Sequence, residues 1–573
     1  MPVFKGTSAS PGYADARAVI IREGDGVLCV PRRTLSDKTD EALRLAEARA
    51  KYRLKLDALF EKTLASLGED AAAIFKAYRA ILDDDTFFES AAARSANEKV
   101  SIEFSISEEY RGVARLFESI DDPLLKARLA DIGNVCSELI KILSGSTDSG
   151  AYLPEEYGRV VLVAEDLSPT VTMGLDKSRI AGFVLERGGV TSHTVILAKM
   201  LGIPAVIGVA GIRESVPDGT RLLIDAFEGA VVCEPTEEQA SEFAKKSCAE
   251  SERSERYRAS AVLPAVTLDG YTVAVDVNTG DMESLSAFDP AFCDGIGLFR
   301  TEFLYMSKDT LPTEDEQFEV FSGAARKAAG KEVIIRTLDI GADKQAKCVN
   351  IPREDNPFLG YRGIRICLDR PDIFMPQIRA ILRASAFGNV KMMFPMIVTP
   401  DEFDRARSMT ENAKSQLRDE GLPFMEDMPV GLMIETPAAV AVCRELAENA
   451  DFFSIGTNDL IQYVTAADRT NERVAELYDP FNVSVLRFVR TVSEAAASSG
   501  IPWGICGEAA SEPLLVPLWI AMGVSELSVA PSLVGMIKYR VSKTDRHALA
   551  GRLDALLSVR RGMKLRHELE RLD

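Results

Sequence analysis

The feature that most constrains the fold is a regular alternation of short apolar segments and longer amphipathic ones after residue 262. Eight segments read as strands because they are short, apolar and bounded by turn residues. They are VAVDVN, GIGLFRTE, VIIRTLD, VKMMFPM, VGLMIET, FFSIGTND, WGICGE and ELSVAP. Helical segments such as TEDEQFEVFSGAARKAAG separate them. Eight β–α units over about 310 residues predict a (β/α)₈ TIM barrel, with a doubly wound sheet as the main structural alternative.

The N-terminal part of the chain has a different organisation. Residues 1–33 and 146–233 contain strand-like segments such as ADARAVIIRE, GVLCV and GRVVLVAEDLS. Residues 34–145 carry apolar side chains at helical spacing, and the first helix is predicted to end at a glycine in TLASLG. We therefore predict a multidomain α/β protein in which an α-helical domain is inserted into an α/β domain. A charged helix over residues 234–261 would link them to the barrel domain, residues 262–573.

Composition excludes several classes of protein. The chain has 67 basic and 87 acidic residues and a net charge of −20, so nucleic acid is not an expected partner. No signal peptide or long apolar run is evident, so we expect no membrane insertion. The nine cysteines form no C-x-x-C pair, which favours reduced thiols and a cytoplasmic location.

Charged and polar residues follow five of the predicted barrel strands. Chemistry in a barrel gathers at the carboxyl ends of the strands, so these side chains are expected to share one rim. They are Arg300 and Glu302, Arg336 and Asp339, Glu435, Asn458 and Asp459, and Cys506 and Glu508. Any one of them could be an ordinary surface ion pair, but their concentration at five strand ends predicts an active site.

The residue types at this rim indicate a small, doubly anionic phosphorylated acid and a divalent metal. Guanidinium groups suit phosphate and carboxylate oxygens. The arginines are Arg300 and Arg336 at strand ends and Arg362 and Arg469 in loops. Glu435 and Asp459 can hold Mg²⁺ while substrate oxygens and water fill the other positions. Cys506 could be a buried core thiol, or it could exchange a proton with a substrate carbon.

A second candidate site lies in the α/β domain, in the stretch GGVTSHTVILAKMLGIPAVIG over residues 188–208. The chain has only three histidines, and the other two, His547 and His567, lie in charged C-terminal helices. Thr191 or Ser192 can cap a helix that ends near Gly202, which places His193 in the first turn. Free backbone N–H groups there would stabilise a phosphorylated imidazole. His193 could also simply help to cap the helix, but the barrel rim supplies a phosphoryl-donor site with no nucleophile of its own.

Together these motifs closely resemble Enzyme I of the bacterial phosphoenolpyruvate–sugar phosphotransferase system, over nearly the whole chain. The segments that carry the resemblance are GTSASPG, GGVTSHTVILAKMLGIPAVIG, GIGLFRTEFLYM, RTLDIGADK, NPFLGYRGIRI, ETPAAV, DFFSIGTNDLIQY, ADRTN and ICGE. Shorter versions occur in pyruvate phosphate dikinase and phosphoenolpyruvate synthase, but the order and length indicate Enzyme I. The chain departs from the family pattern at Val190, where arginine is usual.

The resemblance implies a role for each residue. His193 would accept the phosphoryl group of phosphoenolpyruvate through Nε2 and pass it to the carrier protein HPr, docked on the helical domain, as the first step of sugar transport. Cys506 would protonate the enolate to give pyruvate, Glu435 and Asp459 would ligate Mg²⁺, and the barrel would form a homodimer. The residues that would bind phosphoenolpyruvate are Arg300, Arg336, Asn458, Asp459 and Arg469.

Two alternatives stay open. A dikinase or synthase would need a large ATP-binding domain, whereas the N-terminal region here is short, helical and without a Gly-rich phosphate loop. A regulatory phosphorelay that feeds no sugar transporter is the other alternative. Only the identity of the phospho-accepting partner separates that relay from the transport role.

Overall fold

The computed structural model describes residues 3–21, 30, 32–33, 40–117, 123–145, 154–167, 176–187, 193–306, 308–341, 346–352, 354–471, 473–559 and 562–571. The chain divides into two compact units, Met1–Glu250 and Ser251–Asp573. The boundary between them falls inside the charged helix Glu237–Ala261, which has no buried residues in it.

The first unit contains an eight-stranded sheet. Its strands are β1 Val3–Lys5, β2 Thr7–Ser10, β3 Tyr13–Ile21, β4 Val160–Ala164, β5 Ile180–Leu185, β6 Ala205–Ile207, β7 Arg221–Asp225 and β8 Ala230–Cys233. The order is β1-β8-β7-β3-β4-β5-β6-β2. Strands β3 to β6 are parallel, and the remaining pairings are antiparallel. Every residue of β4 and β5 is buried, which explains their uninterrupted apolar sequences. Most of the predicted strand GVLCV falls outside the described residues.

Four helices are inserted between β3 and β4, as predicted. They are α1 Glu41–Leu82, α2 Asp85–Glu98, α3 Ile102–Phe117 and α4 Pro123–Leu143. The prediction that the first helix ends at the glycine of TLASLG is wrong, because α1 continues for 42 residues. Beyond that glycine, Phe75 and Tyr78 are buried in the same helical core as Tyr52. A glycine costs an exposed helix only about 1 kcal/mol, so packing on both sides of it is enough to carry the helix through.

Two more helices of the first unit are α5 His193–Leu201 and α6 Ile212–Ser215, and α7 Glu237–Ala261 contains the boundary with the second unit. Helix α5 packs against both parts of the unit. Val195 and Ala198 belong to the core beneath the sheet, whereas Leu197 belongs to the core of the inserted helices. The helix that begins at the candidate nucleophile is therefore sandwiched between the sheet and the helical domain.

The second unit is a closed barrel of eight parallel strands. They are β9 Ala274–Thr279, β10 Gly295–Phe299, β11 Glu332–Arg336, β12 Asn389–Phe394, β13 Val430–Ile434, β14 Phe453–Gly456, β15 Trp503–Cys506 and β16 Glu526–Val529. Each strand pairs with the next, and β16 pairs with β9 to close the ring. All eight predicted strands are present, and closure excludes the doubly wound alternative.

Helices follow the barrel strands and cover them. They are α8 Met282–Ala287, α9 Phe303–Met306, α10 Glu314–Lys327, α11 Ile364–Asp369, α12 Pro371–Ser385, α13 Pro400–Asp419, α14 Pro437–Ala441, α15 Cys443–Asn449, α16 Thr457–Thr465, α17 Val483–Ser499, α18 Val516–Ala521, α19 Val534–Ser542, α20 Arg546–Ala550, α21 Leu553–Leu557 and α22 Gly562–Glu570. Capping boxes begin α8, α10 and α13 at Asp281, Thr313 and Thr399, where the side chain accepts from the third backbone N–H and the third residue returns the bond. Across the described ranges, no helix combines the length and the apolar character that crossing a membrane requires.

The middle of the barrel is filled by a separate apolar cluster, which we call the central layer. Its members are Leu298, Ile334, Met393, Met433, Phe452 and Cys506. Polar residues lie on both sides of it, at the carboxyl ends of the strands and at their amino ends. The central layer therefore divides the barrel into two polar compartments.

Candidate active site

A cavity of about 500 Å³ opens at the carboxyl ends of the barrel strands. Eight of the nine predicted site residues line it, and the ninth, His193, lies in the other compact unit. The eight are Arg300, Arg336, Arg362, Glu435, Asn458, Asp459, Arg469 and Cys506. The topology of the barrel thus brings together residues that are separated by up to about two hundred positions in the sequence.

Arg336 is held between two carboxylates at the end of β11. Its Nη2 donates to Glu302 Oε1 at 2.6 Å, and its Nη1 lies 2.9 Å from Asp339 Oδ2. The residue is only 5% exposed. These bonds fix the plane of the guanidinium group, which prepares it for an anion without further ordering.

Arg362 joins the same network from a loop. Its Nη2 donates to Asp339 at 3.1 Å and lies 3.4 Å from Asp459 Oδ2. Its Nη1 donates to the hydroxyl of Tyr463 at 3.2 Å. Asp339 therefore bridges Arg336 and Arg362, and the two guanidinium groups are held as one unit.

Both arginines stay fully charged. Burial by itself would lower the pKa of Arg336 and of Arg362, but the surrounding carboxylates outweigh it, and both pKa values are raised. The Nε atom of each is buried and has no hydrogen-bond partner within the part of the chain that the structure describes. One N–H donor of each guanidinium group is therefore still unsatisfied.

Glu435 lies at the end of β13 and is 1% exposed. Its Oε1 accepts a hydrogen bond of 2.6 Å from the backbone N–H of Met396, which adopts a left-handed φ of 57°. Burial, followed by the charges of Asp459 and Asp339, raises the pKa of Glu435 to about 8. A divalent cation between Glu435 and Asp459 would offset this repulsion, and carboxylate oxygens are ligands that Mg²⁺ prefers. The donor set fits the predicted metal.

Asn458 and Asp459 lie in the first turn of α16 rather than at the end of a strand as predicted. The helix begins at Thr457, directly after β14, because the Thr457 hydroxyl donates to the carbonyl of Cys506 at 3.0 Å. Asn458 Oδ1 accepts from the backbone N–H of Glu508 at 3.0 Å. The first turn of the helix thus lines the cavity, and the amino end of a helix favours an anionic ligand.

Gly507 makes this close approach possible. Its φ is +95°, and a Cβ there would lie 2.6 Å from Thr457 Oγ1 and 2.9 Å from Asn458 Oδ1. No other residue fits without displacing the first turn of α16. The glycine of ICGE is thus part of the geometry of the cavity.

Cys506 forms part of the cavity floor and of the central layer, and it is 2% exposed. The hydroxyl of Ser454 donates to its Sγ at 3.4 Å, and Sγ lies 3.6 Å from the carbonyl of Ile455. Burial raises the pKa of the Cys506 thiol to about 11, so it is protonated at neutral pH. A protonated thiol facing the cavity has the state that a proton donor needs.

Arg300 and Arg469 are half-buried at the entrance of the cavity. The Arg469 guanidinium lies 5.8 Å from the ring centroid of Phe358, and its backbone N–H donates to Gln462 Oε1 at 3.2 Å. Their partial exposure leaves them more freedom to adjust to a ligand than Arg336 and Arg362 have.

Sequence reasoning missed three residues that position this site. Tyr463 lies one helical turn after Asp459, so the i, i+4 spacing on α16 could have identified it. Gln377 on α12 accepts from Leu338 N and donates to Thr301 Oγ1, which donates to the carbonyl of Arg336. The third is Ser454 beneath Cys506. Neither Gln377 nor Ser454 carries a local sequence signal, because the partners are distant in the chain.

Helix α5 begins at His193, in agreement with the prediction that this histidine occupies the first turn. The predicted end is also correct, since Gly202 adopts a φ of +62° and Ile203 N donates to the carbonyl of Ala198 at 2.9 Å. The candidate caps Thr191 and Ser192, and Val190, lie outside the described residues. His547 and His567 are exposed on α20 and α22, as expected for surface residues.

Comparison with known proteins identifies the family. Models of the PEP-utilising enzymes match residues 5–128 (N-terminal), 157–229 (mobile domain) and 254–546 (PEP-binding domain). The phosphoenolpyruvate-protein phosphotransferase of Geobacillus stearothermophilus is 38% identical over 554 residues, which cover 97% of this chain and 95% of that protein. The Bacillus subtilis protein of the same name is 37% identical over 560 residues, 98% and 97% of the two chains.

One solved structure, described as Enzyme I (nEIt) in solution, aligns with 43% of this chain and 99% of its own at 28% identity, with a TM-score of 0.36. The family assignment itself depends on the matched family models and on the near-complete coverage of relatives well above 30% identity. The chain therefore belongs to the family of phosphoenolpyruvate-protein phosphotransferases among the PEP-utilising enzymes, and it is a transferase.

Proposed function

We propose that this chain transfers the phosphoryl group of phosphoenolpyruvate to His193 and then to a histidine of the carrier protein HPr, and that it releases pyruvate. The observation that carries the proposal is the cavity in which Arg336 and Arg362 are locked by carboxylates beside Glu435 and Asp459. Such a cavity suits a ligand with a phosphate, a carboxylate and an accompanying divalent cation.

The arginines would bind the substrate through its anionic groups. Arg336 and Arg362 line the cavity with fixed guanidinium groups, and the more exposed Arg300 and Arg469 would adjust to the ligand. Glu435 and Asp459 would hold Mg²⁺, which would supply positive charge to the transferring phosphoryl group. These charges stabilise the transition state because they are fixed before the reaction begins.

The atoms of the reaction balance within these groups. Nε2 of His193 forms a bond to phosphorus while the bond from phosphorus to the enol oxygen breaks. The enolate carbon then takes the proton of the Cys506 thiol and becomes the methyl group of pyruvate. Ser454, which donates to Sγ, would stabilise the resulting thiolate until water returns its proton.

The same histidine must meet two partners in turn. It has to enter the barrel cavity to attack phosphorus, and it has to leave to reach the carrier, so the proposal requires the first unit to reorient between the steps. Helix α5 packs directly against the inserted helices through Leu197. That contact supports the helical domain as the docking surface for HPr, since a carrier bound there would lie close to the start of α5. We propose a cytoplasmic homodimer formed through the barrels.

Labelling with ³²P-phosphoenolpyruvate tests the proposal. With Mg²⁺, the full chain is expected to acquire an acid-labile, base-stable label that moves to HPr when the carrier is added. His193→Ala should acquire none, whereas His547→Ala and His567→Ala should be labelled normally. Label that persists in His193→Ala would contradict the assignment. Label that leaves the chain only for a partner other than HPr would favour a regulatory relay.

A further inference from the structure

A second polar cavity, of about 330 Å³, lies at the amino ends of the barrel strands. Its lining includes Asp276, Asp294, Glu332, Lys391 and Glu526. Glu332 and Glu526 are the first residues of β11 and β16, so this cavity lies at the end of the barrel opposite the candidate active site. The central layer separates the two cavities. Its member Phe452 lines the cavity at the amino ends of the strands, whereas Leu298, Met433 and Cys506 line the cavity at the carboxyl ends.

Three carboxylates converge in this cavity. One oxygen each of Asp276, Glu332 and Glu526 lies within 4.8 Å of the others, a spacing that a single cation can span. Asp276 is only 2% exposed. Its Oδ1 atom is buried and has no hydrogen-bond donor among the residues that the structure describes. A buried carboxylate oxygen without a donor is costly, and a bound cation would satisfy it.

The cavity contains more carboxyl groups than basic partners. Lys391 Nζ lies 2.5 Å from Glu332 Oε2, and Lys538 Nζ lies 3.2 Å from Asp294 Oδ1. Those pairs account for two acids and two bases. Asp276 and Glu526 form no ion pair anywhere in the described ranges, so two carboxylates are left over. When both are deprotonated, their charge matches that of one divalent cation.

Glycines in the neighbouring strands keep space for these carboxylates. A Cβ at Gly297 would lie 1.9 Å from Glu526 Oε1, and one at Gly504 would lie 3.1 Å from Glu526 Oε2. A Cβ at Gly295 would lie 3.1 Å from Asp276 Oδ1. Glycine weakens a strand interior and often marks the close approach of another group. Here it leaves room for acids where a barrel usually packs branched apolar side chains.

We propose that the cavity at the amino end of the barrel binds one oxygen-preferring divalent cation, with Asp276, Glu332 and Glu526 as its protein ligands. Water would complete the coordination, as it does for Mg²⁺ and Ca²⁺ in partly open sites. Asp276 lies on β9 opposite Ser528 of β16, and Glu526 lies on β16 itself. The cation would therefore join the first and last strands across the seam that closes the barrel, and its role would be stability rather than catalysis.

Thermal unfolding of the full chain after treatment with a chelator tests this proposal, with Mn²⁺, Mg²⁺ and Ca²⁺ added separately and phosphoenolpyruvate absent. Cation that binds only the folded state raises Tm in proportion to the logarithm of its concentration. At least one of the three ions is expected to raise Tm by several degrees. Glu526→Gln and Asp276→Asn should reduce that shift to the part that cation binding at Glu435 and Asp459 supplies, and circular dichroism would verify that both variants fold.

Glu435→Gln is the matched control, because it removes one carboxylate from the other end of the barrel. It should retain the cation-dependent rise in Tm, while Glu526→Gln should retain labelling by phosphoenolpyruvate. Three results would overturn the proposal: a wild-type Tm that no cation moves, a shift that survives at full size in Glu526→Gln, or a shift that only Glu435→Gln abolishes. The first would mean that Asp276 and Glu526 merely share a proton through the hydrogen bond between their side chains.

Discussion

The two ends of the barrel both bury carboxylates, yet they balance them differently. At the carboxyl end, Arg336 and Arg362 bind several acids at once and still keep a free Nε donor each. At the amino end, lysines pair one to one with acids and leave Asp276 and Glu526 without a cationic partner. Burial and neighbouring carboxylates raise the pKa of both Glu435 and Asp276 to about 8.

This difference shows that the type of basic residue, arginine or lysine, determines which kind of ligand each end can bind. A guanidinium group has five donors in a plane, so it can satisfy two carboxylates and still bind an anion. An ammonium group is a compact charge that one carboxylate largely satisfies. The arginine-rich end is therefore suited to an anionic substrate, and the amino end, where acids outnumber the lysines, is suited to a cation.

The largest expected effect comes from removing the base at each end in turn. Arg336→Ala should slow labelling of His193 by roughly 10²–10³-fold, since a fixed donor at the reacting group is lost. It should also destabilise the barrel by about 3–5 kcal/mol, because Glu302 and Asp339 lose a buried cation. Lys391→Ala at the other end should leave the labelling rate close to wild type. Equal loss of labelling in both variants would contradict the assignment of substrate binding to the carboxyl end alone.

The next largest effect concerns the pH dependence of stability, and it tests whether the central layer excludes water from the Cys506 thiol. The folded-state pKa of Cys506 is raised by burial from an ordinary value of 9.0 to about 11. Its protonated thiol therefore stabilises the fold fully below about pH 9, and this contribution is lost as the pH rises towards 11.

Urea unfolding should show the loss directly. Between pH 8 and 10.5, the free energy of unfolding of the wild type should fall by about 2 kcal/mol more than that of Cys506→Ala. Cys248→Ala, at an exposed cysteine, should follow the wild type. Parallel curves for wild type and Cys506→Ala would show that water reaches the thiol.

The smallest expected effect comes from substituting two glycines in and just after β15, Gly504 and Gly507. Gly507→Ala, at the carboxyl end, should push Thr457 and Asn458 out of place and lower kcat/KM for phosphoenolpyruvate about tenfold, or about 1.4 kcal/mol. Gly504→Ala, at the amino end, should leave kcat/KM unchanged and weaken the cation-dependent rise in Tm, because its Cβ would crowd Glu526. The reverse pattern would contradict the assignment of the two cavities.

Most of the barrel could be predicted from sequence because each strand is a local apolar run with a polar residue at its end. The positions of Arg300, Arg336 and Glu435 followed from topology once eight β–α units were recognised. The start of α16 at Thr457 was missed because a carbonyl of a neighbouring strand, that of Cys506, accepts from the first hydroxyl of the helix. The continuation of α1 was missed because the packing of Phe75 and Tyr78 outweighs the glycine before them.

The sequence by itself determined the order of strands and helices, the residues at the rim and the position of His193 at the start of a helix. These features depend on periodicity and on neighbouring residues, which a single chain displays directly. Only the tertiary structure decided which buried carboxylates form ion pairs with a basic side chain. Asp339 bridges Arg336 and Arg362, while Asp276 and Glu526, 250 residues apart in the chain, meet with no base between them. Such balances arise from long-range contacts in a buried, low-dielectric interior, where each pairing depends on distances that the sequence does not contain.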